Sequence, residues 1–243
     1  MVLAGQLDER LGPQRAIQVH VQVGLGQRPD IVSGNFDAHQ RSPWREDGPH
    51  YTARGRRGGN VILELPRHDT ALLLIDWQER LCAAMPQAIV ERNTRNVENL
   101  LTLAARLSLP VIATEQYPKG LGPTVAPLRD HLLAAPHAKT SFSALRDDAA
   151  AAALRATGRR VVLVAGMETH ICVFQTVRDL VAAGYGVQVP ADAVLSRTKA
   201  NYRNGLDLLR AAGALITNAE AALFDLLGVG AGQAFKEVSR LIR

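Results

Sequence analysis

The sequence predicts an α/β domain: a three-layer doubly wound sheet of six mostly parallel strands with helices on both faces. Three observations carry that prediction. From Val61 onward, short apolar runs of strand length alternate with amphipathic stretches of helix length. The runs are apolar at consecutive positions, which is the pattern of strands covered on both sides. Strand and helix follow one another throughout, so successive strands are joined by crossover helices.

In chain order, ALLLID (71–76) is the first strand. AIVERNTRNVENLLTLAARL (88–107) sets Ile89, Val97, Leu100, Leu101 and Ala104 along one helical face. LPVIATE (109–115) reads as the second strand, and HAKTSFSAL (137–145) has room for a short third one ending near Lys139. RRVVLVAG (159–166), YGVQVPAD (185–192) and ALITN (214–218) follow as the fourth, fifth and sixth. Helices are expected near 124–134, 147–157, 170–183 and 199–212, and two more close the chain. GVGAG at 228–232 follows a helix and not a strand, so its glycines read as a helix stop and not as a phosphate loop.

Residues 1–60 have a different texture. They carry nine glycines and few apolar clusters, too little burial to offset the entropy of ordering. The expectation is a non-core, disordered extension over 1–60 and one folded domain over 61–243. AIQVHVQVGL (16–25) is the exception, an isolated strand or hairpin arm.

Composition excludes several classes of function. With 243 residues, 47% of them hydrophobic, the chain can bury a full core. It has no apolar run of membrane-spanning length and no basic-then-apolar leader pattern, so no membrane is expected as a partner and the expected location is cytoplasmic. Two cysteines, Cys82 and Cys172, make no disulfide framework and read as free thiols. The net charge of +5 comes from arginines scattered among acids, with only four lysines among 28 basic residues, so nucleic acid is not expected as a partner.

In open parallel sheets, ligands bind beyond the carboxyl ends of the strands. Three reactive side chains fall at such ends: Asp76 after the first strand, Lys139 at the third, and Cys172 after the fourth. The wording around them is more specific than the spacing. LLLIDWQERL, PVIATEQYPKGLGPTV, KTSFSAL, GMETHICVFQTVRDLVAAGYGVQVPADAVLSR and FKEVSRLI together resemble the isochorismatase-like cysteine hydrolases, and most of all the branch called isochorismatase domain-containing proteins. The resemblance spans about residues 66–243. It implies a catalytic Asp, Lys and Cys at Asp76, Lys139 and Cys172, and a non-proline cis peptide at Met167–Glu168.

These assignments have a physical reading. Thr169 is expected to cap a helix beginning at His170, which puts Cys172 in a first turn that favours a thiolate. Cys172 is then expected to be alkylated before Cys82, which sits in ERLCAAM without a cap or lysine and reads as core. Asp76 takes the thiol proton, Lys139 balances the charge, and the N–H groups of Cys172 and Glu168 receive an oxyanion. Trp77, Gln116, Tyr117, Phe142, Met167 and His170 are the expected substrate pocket. His170 reads as wall and not as a base, because residues two apart on a helix do not face each other. Asp192 reads as a structural loop acid.

Departures from related families narrow the chemistry. Nicotinamidases carry an aspartate and two histidines before the lysine to hold a metal, and here that interval is TEQYPKGLGPTVAPLRDHLLAAPHAK, with His131 and His137 alone. No metal and no cofactor are expected. Isochorismatases cleave a vinyl ether without a cysteine nucleophile, so a cysteine favours a carbonyl substrate, an amide or related C–N bond. The expected partners are a small molecule and further copies of the chain. Two other classes stay open: a thiol redox sensor, and a scaffold with a vestigial site.

Overall fold

The computed structural model describes the backbone of residues 52–54 and 60–242, with side chains from Val61 onward. In chain order its elements are β1 (Thr52–Arg54), β2 (Asn60–Ile62), β3 (Thr70–Ile75), α1 (Glu79–Ala83), α2 (Gln87–Arg106), β4 (Val111–Gln116), α3 (Pro118–Leu121), α4 (Ala126–Arg129) and β5 (His137–Lys139). Then come α5 (Asp148–Ala156), β6 (Val161–Met167), α6 (Phe174–Ala182), β7 (Gly186–Pro190), β8 (Val194–Leu195), α7 (Lys199–Ala212), β9 (Leu215–Thr217), α8 (Ala219–Leu227) and α9 (Gln233–Leu241).

The main sheet runs β5-β4-β3-β6-β7-β9, every neighbour pair parallel. These are the six expected strands. A seventh, the two-residue β8, pairs with the end of β6 through Gly166 and Met167, and is too short to announce itself as an apolar run. The two central strands, β3 and β6, are buried at every position, which is why they are written as unbroken apolar stretches. Apolar residues fill both faces. Leu72, Leu74, Leu163 and Ala165 pack with α2 and α8, whereas Leu73, Ile75, Val162 and Val164 pack with α6 and α7.

Helix ends follow local chemistry. Asp147, Thr198 and Asn218 accept hydrogen bonds from the N–H groups of Ala150, Asn201 and Ala221 at the starts of α5, α7 and α8. Gly228 ends α8 in a left-handed conformation, as GVGAG predicts. On α2, Val97, Leu100, Leu101 and Ala104 are buried as expected, but Ile89 is exposed and Val90 takes its place on the inner face. The helix expected over 124–134 is only the four residues of α4. Of its apolar side chains only Leu128 is fully buried, so nothing holds further turns down.

Within the predicted extension, β1 pairs antiparallel with β2, so regular structure begins before residue 61. The expected strand at 16–25 lies outside the described residues. No described helix is long and apolar enough to cross a membrane.

Candidate active site

The chain builds β3, β4 and β5 outward in one direction and then returns to place β6 on the other side of β3. Strand order therefore reverses between β3 and β6, and the crevice beyond their carboxyl ends is the ligand-binding position of such sheets. Asp76 follows β3, and the turn bearing Cys172 follows β6. The two strand ends approach closely because position 166 is glycine. Its φ is +151°, and a Cβ there would lie 2.4 Å from the Ile75 carbonyl oxygen.

Asp76 is fully buried, with φ +51°. Its Oδ2 accepts from Lys139 Nζ at 2.7 Å and its Oδ1 from Thr114 Oγ1 at 2.8 Å. Lys139 Nζ also donates to Gln116 Oε1 (2.8 Å) and to the carbonyls of Ser141 (3.1 Å) and Phe142 (3.2 Å). Both charged side chains are out of reach of water. A buried ion pair of this kind survives only when every remaining polar atom is matched, and here it is. Gln116 donates through Nε2 to the Thr140 carbonyl and through its backbone N–H to Gln78 Oε1. Gln78 in turn donates to the carbonyls of Gln116 and Gly122, which ties the loops after β3 and β4 together.

Cys172 lies on a π-type turn, Thr169–Val173, in which Ile171 and Val173 both donate to the Glu168 carbonyl. The capping role expected of Thr169 is not there. Its hydroxyl makes no cap hydrogen bond and is buried with no partner among the described residues, while its methyl group packs on α7 at Gly205. A Cβ at position 205 would lie 2.8 Å from that methyl and 2.9 Å from the His170 nitrogen, so glycine sets how closely α7 supports the turn.

The turn was expected to favour the thiolate, and the surroundings of Cys172 act the other way. Burial first, and then the negative charge of the Asp76 carboxylate, push Cys172 up to about 12, against the opposing effect of Lys139. Cys82 is likewise raised, to about 11, chiefly by burial. The thiol is thus the resting form at both sites, and any selective reactivity of Cys172 comes from a base beside it.

A pH dependence follows. The Cys172 thiol holds its proton more tightly in the folded chain, so the stability it contributes is complete below its ordinary value of 9.0 and is lost as pH rises towards about 12. Unfolding free energy should fall by about 1.4 kcal/mol per pH unit in that window on account of this group. Denaturant melts across the window should show a shallower slope in Cys172→Ala. Identical slopes would refute it.

The other expected site residues divide. Trp77 is fully buried against α2, its Nε1 donating to Thr94 Oγ1 at 3.2 Å, and Met167 packs in the same layer. Neither lines the crevice, because both sit on the face of the sheet opposite Cys172. Cys82 is in that layer too, so the sheet separates the two thiols. Tyr117 (57% exposed) and Phe142 (51% exposed) stand on the loops after β4 and β5. His170 is half-buried, with Nδ1 3.1 Å from Ser196 Oγ. The Met167–Glu168 peptide is cis. Glu168, buried, pairs with Arg197 Nε at 3.1 Å and accepts from the Arg197 N–H at 3.0 Å. Asp192 accepts from Ala219 N–H at the start of α8, a structural contact.

Thr114, Gln78 and Gly205 went unforeseen. The signal for Thr114 lies in the strand register, which sets it opposite Ile75 and next to Asp76. Among the described residues, no three His, Cys, Asp or Glu side chains gather where a metal ion could be held.

Residues 70–221 match the isochorismatase domain. The chain belongs to the isochorismatase family. Isochorismatase domain-containing protein 2 of Xenopus laevis is 35% identical over 181 residues, 74% of this chain and 87% of that one. Among solved structures, this isochorismatase-family chain is similar to the MAR1 ribonuclease of Caenorhabditis elegans, with 34% identity, a TM-score of 0.68, and coverage of 74% and 92% of the two chains. It shares its fold with YcaC of Escherichia coli, named an octameric hydrolase of unknown specificity, at 24% identity, a TM-score of 0.69 and coverage of 76% and 91%. The isochorismatase-like fold and a hydrolase family are thereby shown.

Proposed function

We propose that this chain is a cysteine hydrolase of small carboxamides or related C–N bonds, acting through a thioacyl-enzyme. The observation that carries the reading is a single buried carboxylate, Asp76, that is 2.7 Å from Lys139 Nζ and whose charge also acts on the Cys172 thiol. Asp76 takes the thiol proton as the sulfur bonds to the carbonyl carbon, and Lys139 keeps the carboxylate ionised between steps. The oxyanion is received by the N–H groups of Glu168 and Cys172. When the C–N bond breaks, the proton on Asp76 passes to the leaving nitrogen and a thioester remains. Water then attacks the thioester with Asp76 again as base, releasing the acid and restoring the thiol.

A nucleophile only 7% exposed suits a small substrate, bordered by Tyr117, Phe142 and His170. The same burial argues against extending the name of the ribonuclease relative to this chain. A redox sensor would need a resolving thiol, and Cys82 is across the sheet. Homo-oligomerisation belongs to the proposal, in line with the octameric YcaC, as does a cytoplasmic setting in which two free thiols stay reduced.

The test is a panel of small neutral amides assayed for ammonia. At least one should be turned over, and a poor substrate should leave its acyl mass on the Cys172 peptide. Turnover with no Cys172 adduct under any quench would remove the covalent mechanism.

A further inference from the structure

Residues two apart on a strand point to the same side. On β4, Thr114 and Gln116 are such a pair, and each touches one member of the buried ion pair. Thr114 Oγ1 donates to Asp76 Oδ1 at 2.8 Å, and Gln116 Oε1 accepts from Lys139 Nζ at 2.8 Å. One face of one strand therefore offers a donor to the carboxylate and an acceptor to the ammonium.

The polarity of both contacts is determined. An ionised carboxylate has only acceptors, so the Thr114 hydroxyl must donate. Gln116 sends its Nε2 to the Thr140 carbonyl, and the reverse orientation of the amide would set an NH2 group against an ammonium. Thr114 is 1% exposed, which leaves no room for bulk water to take over its bond.

A dry ion pair has an alternative state. One proton moving from Lys139 to Asp76 gives a neutral acid and a neutral amine, which burial favours. A protonated Asp76 cannot accept the proton of Cys172. We propose that Thr114 and Gln116 hold Asp76 and Lys139 in the ionised form and so keep Asp76 available as a base. Both bonds are stronger to the ion than to its neutral counterpart, so both bias the pair the same way. Thr114 and Gln116 are positioning residues, and Gln116, expected to line the pocket, has its amide engaged at both ends. The inference rests on the reading of Asp76 as the general base.

The test needs no knowledge of the substrate: it follows addition of acrylamide to Cys172 by mass, as a function of pH. Sulfur adds to the β-carbon, Asp76 takes the thiol proton, and that proton ends on the α-carbon, so the protein gains one whole acrylamide. The wild-type thiol should react across the neutral range and slow on acidification. Thr114→Val should slow the neutral reaction about tenfold and move its acidic fall up by about one pH unit, since the ionised carboxylate loses a donor. Gln116→Leu should slow the reaction about tenfold without that upward move, since it acts on the ammonium. Thr114→Ser should restore the wild-type profile.

Wild-type profiles in Thr114→Val and Gln116→Leu, with Asp76→Asn slow, would overturn this inference alone. A wild-type rate in Asp76→Asn would instead remove Asp76 as the base. Failure of the wild-type thiol to react in the neutral range would overturn the inference too. Melting curves establish that the variants fold, and should Thr114→Val not fold, the part-exposed Gln116→Leu carries the test.

Discussion

Amide turnover is expected to fall on the order of a hundredfold or more in each of Cys172→Ala, Asp76→Asn and Lys139→Ala, and hardly further when the substitutions are combined. The near absence of summation is the diagnostic part. In the proposed mechanism the three side chains form one unit, the ammonium bonded to the carboxylate whose charge acts on the thiol, so removing the nucleophile leaves the base with no proton to take. The measurement is kcat/KM on the best amide for the single, double and triple variants. A Cys172→Ala protein that retains substantial turnover would end the covalent reading, and losses that multiply would mean that the residues act in separate steps.

The second large effect is on stability. Lys139→Met strands a buried carboxylate without its cation, and breaking such a pair from one side costs about 3–5 kcal/mol. Asp76→Asn combined with Lys139→Met should recover about half of that loss, because the uncompensated charge is gone, while turnover stays absent. Stability and activity are thus expected to part company in the double variant. Equilibrium denaturation decides it, and a single-variant loss under about 1 kcal/mol would show that water reaches Asp76 after all.

The order of strands and helices was legible because β3 and β6 are buried on both faces and so carry unbroken apolar runs. Asp76, Lys139 and Cys172 were legible for a different reason, the specific wording around each at a strand end. Trp77 was not. Counting by alternation from Leu73 and Ile75 would put it beside Cys172, but the positive φ of Asp76 breaks the alternation and turns the indole into the opposite layer. Thr169 is a good capping residue by type, yet the turn after β6 winds as a π-turn that leaves its hydroxyl unused. The upward push on the Cys172 thiol was not legible, because spacing along the chain does not reveal how deeply a thiol is buried or which carboxylate acts on it. Thr114 was missed on the same ground, since its partner becomes visible only when β3 and β4 are set in register.

The holding of Lys139 has a consequence for how such a protein diversifies. Two of the four acceptors around its ammonium are main-chain carbonyls, of Ser141 and Phe142, which any amino acid at those positions would supply. The Phe142 ring meanwhile stands half in solvent, and Tyr117 donates its own backbone N–H to the Lys139 carbonyl while its ring is also exposed. The contacts that hold Lys139 are therefore set by strand ends and peptide groups, and the exposed rings by side chains that those peptide groups merely carry. On the proposed function, the side chains at 117 and 142 can be exchanged, and the rim reshaped, without removing any of the contacts that hold Lys139 against Asp76.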